Sequence, residues 1–403
     1  MPEVFERLAG QEEAVAELTA AALAARARVP GQGWEGSDPR MVHAWLFTGP
    51  PGSGRSVAAT CFAAALQCEH PEIVGCGECR ACHTVLAGTH ADVHHLAPQG
   101  VNILLKDVKE TIHRAASRPG TGRWQIVVVQ EADRLTEQSG NALLKVVEEP
   151  PSRTVFLLCS PTTDPMDIMV TLRSRSRNVA LRQPGVAAVE RVLLAEGQVE
   201  PERARWAASV SSGHVGRARW LATDEATRER RDGVLELPMV MHNPGRAFPL
   251  ADRLVAAAEQ EATARTAESD EREVDELRTA LGAGGTGKGT AAAGRGASGA
   301  VKELERAQKS RRTRSTRDSL DLALVDLAGF YRDALMAGLG AHDVPPVHPD
   351  KVSESARLGG HYPPAAVLRA IEAIQRCRAA IDVNVKPKFA VSAMVGEIRQ
   401  ALG

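Results

Sequence analysis

Aromatic side chains are scarce in this chain, at 3% of 403 residues, with only two tyrosines. A surface that stacks single-stranded bases needs several of them, so the composition argues against such a platform. An excess of one charge is also missing. Lys and Arg number 49 against 50 Asp and Glu, a formal net charge of −1. That balance argues against wholesale coating of nucleic acid or anionic membrane, although it allows a local basic face. No apolar run approaches the roughly 20 residues of a membrane-spanning helix. The opening Met1-Pro2-Glu3-Val4-Phe5-Glu6 lacks a basic stretch followed by an apolar one. The expectation is a cytoplasmic chain with no membrane partner. A disulfide framework is lacking too, because the seven cysteines are an odd number and four of them crowd between positions 68 and 82. In a cytosolic protein such crowding indicates metal binding before disulfides.

What is present is ordinary for a globular protein, 43% hydrophobic and 25% charged. At about 150 residues per domain the length suggests two or three domains. Residues 1–183 alternate helix-like and strand-like segments. Ala44–Thr48, Trp124–Val129 and Thr154–Cys159 are continuous apolar or β-branched runs, the pattern of strands buried on both faces of a parallel sheet. A helix around Gln138–Val147 supplies a crossover. The expected class is α/β, with ligand loops at the carboxyl ends of the strands. Short amphipathic helices follow, grouped here as a small helical lid over 184–242, and then an all-α bundle over 243–403. The bundle is interrupted by a Gly/Ala-rich insert, 282–300, which reads as a flexible linker. Its flanks oppose each other in charge: Glu268–Glu276 holds six acids and one arginine, whereas Lys302–Arg317 holds seven bases and two acids. Two solvated faces that pair across a loop, or a basic arm on DNA, would both fit.

Gly49-Pro50-Pro51-Gly52-Ser53-Gly54-Arg55-Ser56 follows a strand and opens a helix, the setting of a phosphate-binding loop. Gly49, Gly52, Gly54 and Ser56 fit the pattern, but Arg55 stands where Lys belongs. A planar guanidinium is bulkier and differently directed than a compact ammonium. The loop either holds nucleotide through its backbone without efficient hydrolysis, or keeps only a structural role. A second strand should end in paired acids, one for Mg²⁺ and one to orient water. Here Ile126–Val129 runs into Gln130-Glu131, so Glu131 is present and the Mg²⁺-linked acid is an amide. Asp133, three residues on, is expected to point elsewhere. Binding of ATP and Mg²⁺ is left open, and turnover at this site is not expected.

Cys68-x7-Cys76-x2-Cys79-x2-Cys82 supplies four thiolates in 15 residues. Soft sulfur ligands at two-residue spacings suit tetrahedral Zn²⁺, and four ligands leave no open position, so the zinc would be structural. Free thiols on a loop are the plainer reading. His83, His94 and His95 are expected on the surface, and Cys61, Cys159 and Cys377 in the packing. Arg173, Arg175 and Arg177 alternate with no acid beside them. They form a solvated turn or include an arginine finger, which would stabilise transition-state charge on a phosphate bound by a neighbour. Lys106, Lys109 and Arg118 form either a solvated basic face or a DNA contact.

Taken together, these residues resemble the AAA+ clamp-loader family of bacterial DNA polymerase III. The likeness runs from Phe5 to about Arg219 through Leu8-Ala9-Gly10-Gln11, His43–Pro50, the four cysteines, Asn141-Ala142-Leu143-Leu144-Lys145-Val146-Val147-Glu148-Glu149-Pro150-Pro151 and Ser174-Arg175. Residues 245–403 match only in being helical. The resemblance implies an AAA+ module and lid, followed by a helical collar for oligomerisation. It implies a hetero-pentamer with gamma/tau and delta subunits that opens the sliding β clamp and closes it on primed DNA. Some subunits of such loaders have degenerate sites, and Arg175 is then the finger offered in trans. By the same resemblance Ser160 or Thr162 takes the sensor-1 position and Arg217, in Gly213-His214-Val215-Gly216-Arg217, the sensor-2 position. An ATP-hydrolysing tau/gamma-type subunit or another AAA+ motor is the alternative.

Overall fold

In the computed structural model, which describes all residues except 1–2, 29–33, 35–37, 99, 281–289 and 342, the apolar runs become the middle of a five-stranded parallel sheet. The strands are β1 (Ala44–Thr48), β2 (Val93–Leu96), β3 (Gln125–Val129), β4 (Thr154–Ser160) and β5 (Arg177–Ala180), in the order β2-β3-β4-β1-β5. Every residue of β1, β3 and β4 is buried, which explains their unbroken apolar sequence. In register, Leu46 of β1 lies between Leu158 of β4 and Asn178 of β5. Side chains alternate across the sheet. Trp45, Phe47, Ile126 and Leu157 join one core with Leu18 and Phe62, while Leu46, Val127, Phe156 and Leu158 join another with Leu143 and Leu172. The connections from β1 and from β4 leave toward opposite edges of the sheet, so the carboxyl ends of these two neighbouring strands flank a ready ligand crevice.

Helices α1 (Glu12–Ala27), α2 (Arg55–Gln67), α3 (Arg80–Leu86), α4 (Leu105–Ala115), α5 (Glu137–Glu148) and α6 (Val170–Arg175) accompany the sheet. Next come α7 (Val186–Ala195), α8 (Pro201–Val210) and α9 (Val215–Thr223), whose Val189, Leu193, Ala207, Val210 and Leu221 form a small core of their own. These elements make up one unit, Met1–Thr223, and Asp224–Gly403 forms the other.

Among the described residues of the second unit the regular structure is helical: α10 (Glu225–Val240), α11 (Pro244–Ala280), α12 (Thr290–Gly338), α13 (Val352–His361), α14 (Pro364–Asp382) and α15 (Pro387–Leu402). Its core centres on Phe330, Tyr331, Ile374, Val395 and Ile398. Helix α10, grouped from sequence with the preceding lid up to residue 242, contributes Val234, Leu237 and Val240 to this core instead. Residues 282–289 of the insert lie outside the described residues. From Thr290 onward the backbone is the start of α12, not an open linker. Three consecutive alanines favour helix there, and an anchored helix propagates at little cost once nucleated. The opposed charge blocks pair: Arg311 meets Asp270 at 3.0 Å and Glu273 at 2.5 Å, and Arg312 lies 3.5 Å from Asp270.

Candidate functional site

The glycine loop leaves β1 and enters α2. Gly52 and Gly54 have φ of 85° and 91°, a region that disfavours side chains. A Cβ on Gly52 would stand 2.7 Å from the Cβ of His214, and one on Gly49 only 2.5 Å from the Leu181 carbonyl oxygen. Only glycine admits these approaches. Gln11 ties the loop down, donating from Nε2 to the carbonyls of Ser53 at 3.3 Å and Arg182 at 2.6 Å while accepting from the Arg182 N–H at 3.1 Å. His214 packs on the loop and caps α9, its Nδ1 accepting from the Arg217 N–H at 3.2 Å. Burial, then the nearby Arg217, hold the His214 imidazole below its usual pKa. Sequence reading gave neither Gln11 nor His214 a role, because a single polar residue carries no spacing signal.

Two buried polar atoms of the loop, Ser53 Oγ and Arg55 Nη1, have no hydrogen-bond partner. With the unpaired first-turn amides of α2 they form a set of donors lacking acceptors, which suits a phosphate. Burial lowers the Arg55 guanidinium, while Cys159, Asp133 and Asp167 act in the opposite direction. Asp133 has Arg134 as its ion-pair partner, at 3.4 Å. It lies in the short 3-10 turn Ala132–Arg134, and burial raises its carboxyl against the pull of Arg134 and Arg55. Gln130 sits where the Mg²⁺ acid belongs, its Nε2 3.4 Å from Nδ1 of His95. The donor set fits phosphate, whereas an amide replaces the acid that would share Mg²⁺ with Ser56. Glu131 enters the turn at the end of β3. Ser160 Oγ donates to the Thr162 carbonyl at 2.9 Å, and Thr162 Oγ1 donates to Asp167 at 2.6 Å, so both sensor-1 candidates spend their hydroxyls inside their own loop. Arg217 is buried on α9, next to His214.

The four cysteine sulfurs all lie within 4.8 Å of one another. Sulfurs at about 2.3 Å from one zinc ion would be about 3.8 Å apart, and Cys68 and Cys76 are separated by 3.7 Å. Backbone N–H groups of Cys76, Cys79 and Cys82 point at the sulfurs of Cys68, Cys76 and Cys79 at 3.4–3.5 Å. Burial opposes ionisation of Cys68, but backbone donors at Cys76 and His70, with the neighbouring thiols, outweigh it and bring its pKa to about 7. The cluster is compatible with zinc. Arg26 braces the segment by donating to the carbonyls of Cys68, Pro71 and Ile73. His83 and His95 are exposed, whereas His94 is half-buried in β2 and bonds Gln125 at 2.9 Å. Cys61, Cys159 and Cys377 are buried in the packing.

The three alternate arginines have separate surroundings. Arg173 donates to the Thr163 carbonyl at 2.9 Å. Arg177 belongs to β5, pairs with Glu17 at 2.5 Å and lies 5.5 Å from the Trp45 ring centre. Arg175 ends α6, remains 41% exposed and meets Glu148 at 2.7 Å. The acids absent from the neighbouring sequence are thus supplied from α1 and α5. Lys106, Lys109 and Arg118 are exposed on and after α4.

A parallel sheet in the order β2-β3-β4-β1-β5, with a glycine loop leaving β1 and a helical module behind it, defines an AAA+ protein. The family described as DNA polymerase III, delta subunit, matches residues 35–185. DNA polymerase III subunit delta' of Pseudomonas aeruginosa is 32% identical over 221 residues, 54% of this chain and 67% of that protein. Subunit tau of Bacillus subtilis is 30% identical over 212 residues, 49% of this chain but 34% of that protein. Among solved structures, the Thermotoga maritima RuvB Holliday junction branch migration motor superposes with a TM-score of 0.36 at 19% identity, covering 56% of this chain and 63% of that one. The chain belongs to the delta-prime family of DNA polymerase III clamp-loader subunits. Among the described residues no helix is long and apolar enough to cross a membrane.

Proposed function

We propose that this chain is the stator of a clamp loader, a subunit that joins gamma/tau and delta subunits in a hetero-pentamer and does not hydrolyse ATP itself. The loader would place the sliding β clamp on primed DNA in the cytoplasm, and Arg175 would reach nucleotide held by a neighbouring ATPase subunit. One observation carries the reading. The loop has phosphate donors but neither the lysine nor the Mg²⁺ acid, with Arg55 and Gln130 in their places. Two independent losses in one site fit a subunit relieved of turnover, and an exposed arginine just beyond β4 fits one that serves its neighbour. The residues 243–403 would form the oligomerisation collar, the cysteine cluster would hold a structural zinc ion, and DNA would be touched from within the complex. The tau relative keeps a second reading in view, an ATP-hydrolysing loader subunit. Turnover separates the two. The purified chain with ATP and primed DNA should show none above background, while Arg175→Ala should lower ATPase in the reconstituted complex without preventing assembly. Robust turnover by the chain alone would exclude the stator reading, and unchanged ATPase in the complex would remove Arg175 from it.

A further inference from the structure

Glu148 is the last residue of α5 and Arg175 the last of α6, and the two side chains meet at 2.7 Å between Oε1 and Nη2. The other amino group of Arg175, Nη1, reaches the Thr171 carbonyl and the Ser174 hydroxyl only at 3.4 Å, the long end of the hydrogen-bond range. Among the described residues Glu148 is therefore the strongest partner of Arg175. The two helices are held firmly. Leu143 and Val147 of α5 and Leu172 of α6 share one buried core. Met169, the residue before α6, comes so near α5 that a Cβ on Gly140 would clash with its sulfur. Thr136 caps α5 by accepting from the Ser139 N–H, and Ser139 Oγ donates to the Ile103 carbonyl at 2.9 Å. The carboxylate thus stands on a fixed support, whereas an arginine at a helix end is otherwise free to sample many rotamers.

We propose that Glu148 is a positioning residue for Arg175. Its carboxylate takes one amino group of the guanidinium and leaves Nη1 with only the two long contacts in its own helix, which an anion on a neighbouring subunit would replace. A guanidinium can serve both, because its five N–H donors lie in a rigid plane. The inference rests on the reading of Arg175 as a finger, and it adds that the finger is oriented by its own chain before a neighbour arrives.

The test uses the full chain reconstituted with the ATP-hydrolysing subunits, with ATP and primed DNA as substrates. Glu148→Ala should lower kcat at least about twofold, the low end of the coupling between contacting residues, and leave KM for ATP nearly unchanged. Glu148→Asp should recover most of the rate. In the Arg175→Ala background, Glu148→Ala should have no further effect, an outcome that a purely structural role would not give. Glu148→Gln, of nearly the same shape, should fold and assemble like the parent and still lose rate. The proposal is overturned if Glu148 variants leave kcat unchanged or raise it while Arg175→Ala lowers it, or if the two losses simply add. An Arg175→Ala complex of full activity would instead bring down the finger reading, and the proposal with it.

Discussion

A single carboxylate shows how one residue can fix a loop. Asp92, just before β2, is buried and accepts from the N–H groups of Gly120, Thr121 and Gly122 at 2.7, 2.8 and 2.6 Å, from Thr121 Oγ1 at 2.9 Å and from Gln125 Nε2 at 3.0 Å. Burial raises its carboxyl, but these donors overcome that and hold it below its usual value. A depressed folded pKa means the stabilisation is complete above the unfolded value near 3.9 and is lost as pH falls through the lower folded value. Asp92→Asn should therefore cost about 1–3 kcal/mol at neutral pH, read from the denaturant midpoint, and its deficit should shrink in acid. An equal deficit at every pH would mean that the charge is not what holds the loop. At this scale the sequence was a good guide wherever a motif numbers its positions. Arg55 and Gln130 stood out because the pattern says what belongs there. The turn that carries Asp133 did not stand out, because three residues of 3-10 helix leave no periodic mark in the residue order.

At the scale of elements, legibility follows burial. The strands β1, β3 and β4 are buried along their whole length and announced themselves as apolar runs. The edge strands did not, because Val93-His94-His95-Leu96 and Arg177-Asn178-Val179-Ala180 each turn polar residues outward and look like loop. The cysteine segment is the other extreme, since spacing alone specified it. It contains little regular structure, only the seven residues of α3, and its glycines hug the start of the chain: a Cβ on Gly75 would lie 2.5 Å from Val4. A short loop-rich module of that kind would depend on a metal cross-link through the four cysteines. Removing metal with a strong chelator, or replacing Cys79 with Ser, should speed hydrogen exchange across residues 68–86 and lower the thermal midpoint, while the β3 and β4 amides stay protected. Unchanged exchange after verified metal removal would make the thiols mere packing. The same view applies to α11 and α12, where opposed charge blocks were legible as blocks, but the pairing of Arg311 with Asp270 and Glu273 emerged only when the helices were placed side by side.

On the scale of the whole molecule, composition suggested two or three domains, and the chain divides at Thr223. The division came earlier than the boundary read from sequence because α10 looks like any short amphipathic helix, and only its partners show which core it serves. Its Val234, Leu235, Leu237 and Val240 pack with Phe330 and Ile374. Residues 1–223 by contrast close three cores within themselves, two on the faces of the sheet and one among α7, α8 and α9. A stretch of that length is well above the size at which a chain can bury an adequate core, and a cut after Thr223 would pass through no strand. Nothing in those three cores is supplied from beyond that point. The fragment 1–223 should therefore fold alone, unfold in a single cooperative denaturant transition and bind one zinc ion per chain. If residues 243–403 form the oligomerisation collar proposed above, the same fragment should fail to join the loader subunits in gel filtration, although it retains Arg175 and the whole glycine loop. A fragment that remains unfolded would show that the first unit depends on the second, and a folded fragment that still assembles would move the oligomerisation surface into residues 1–223.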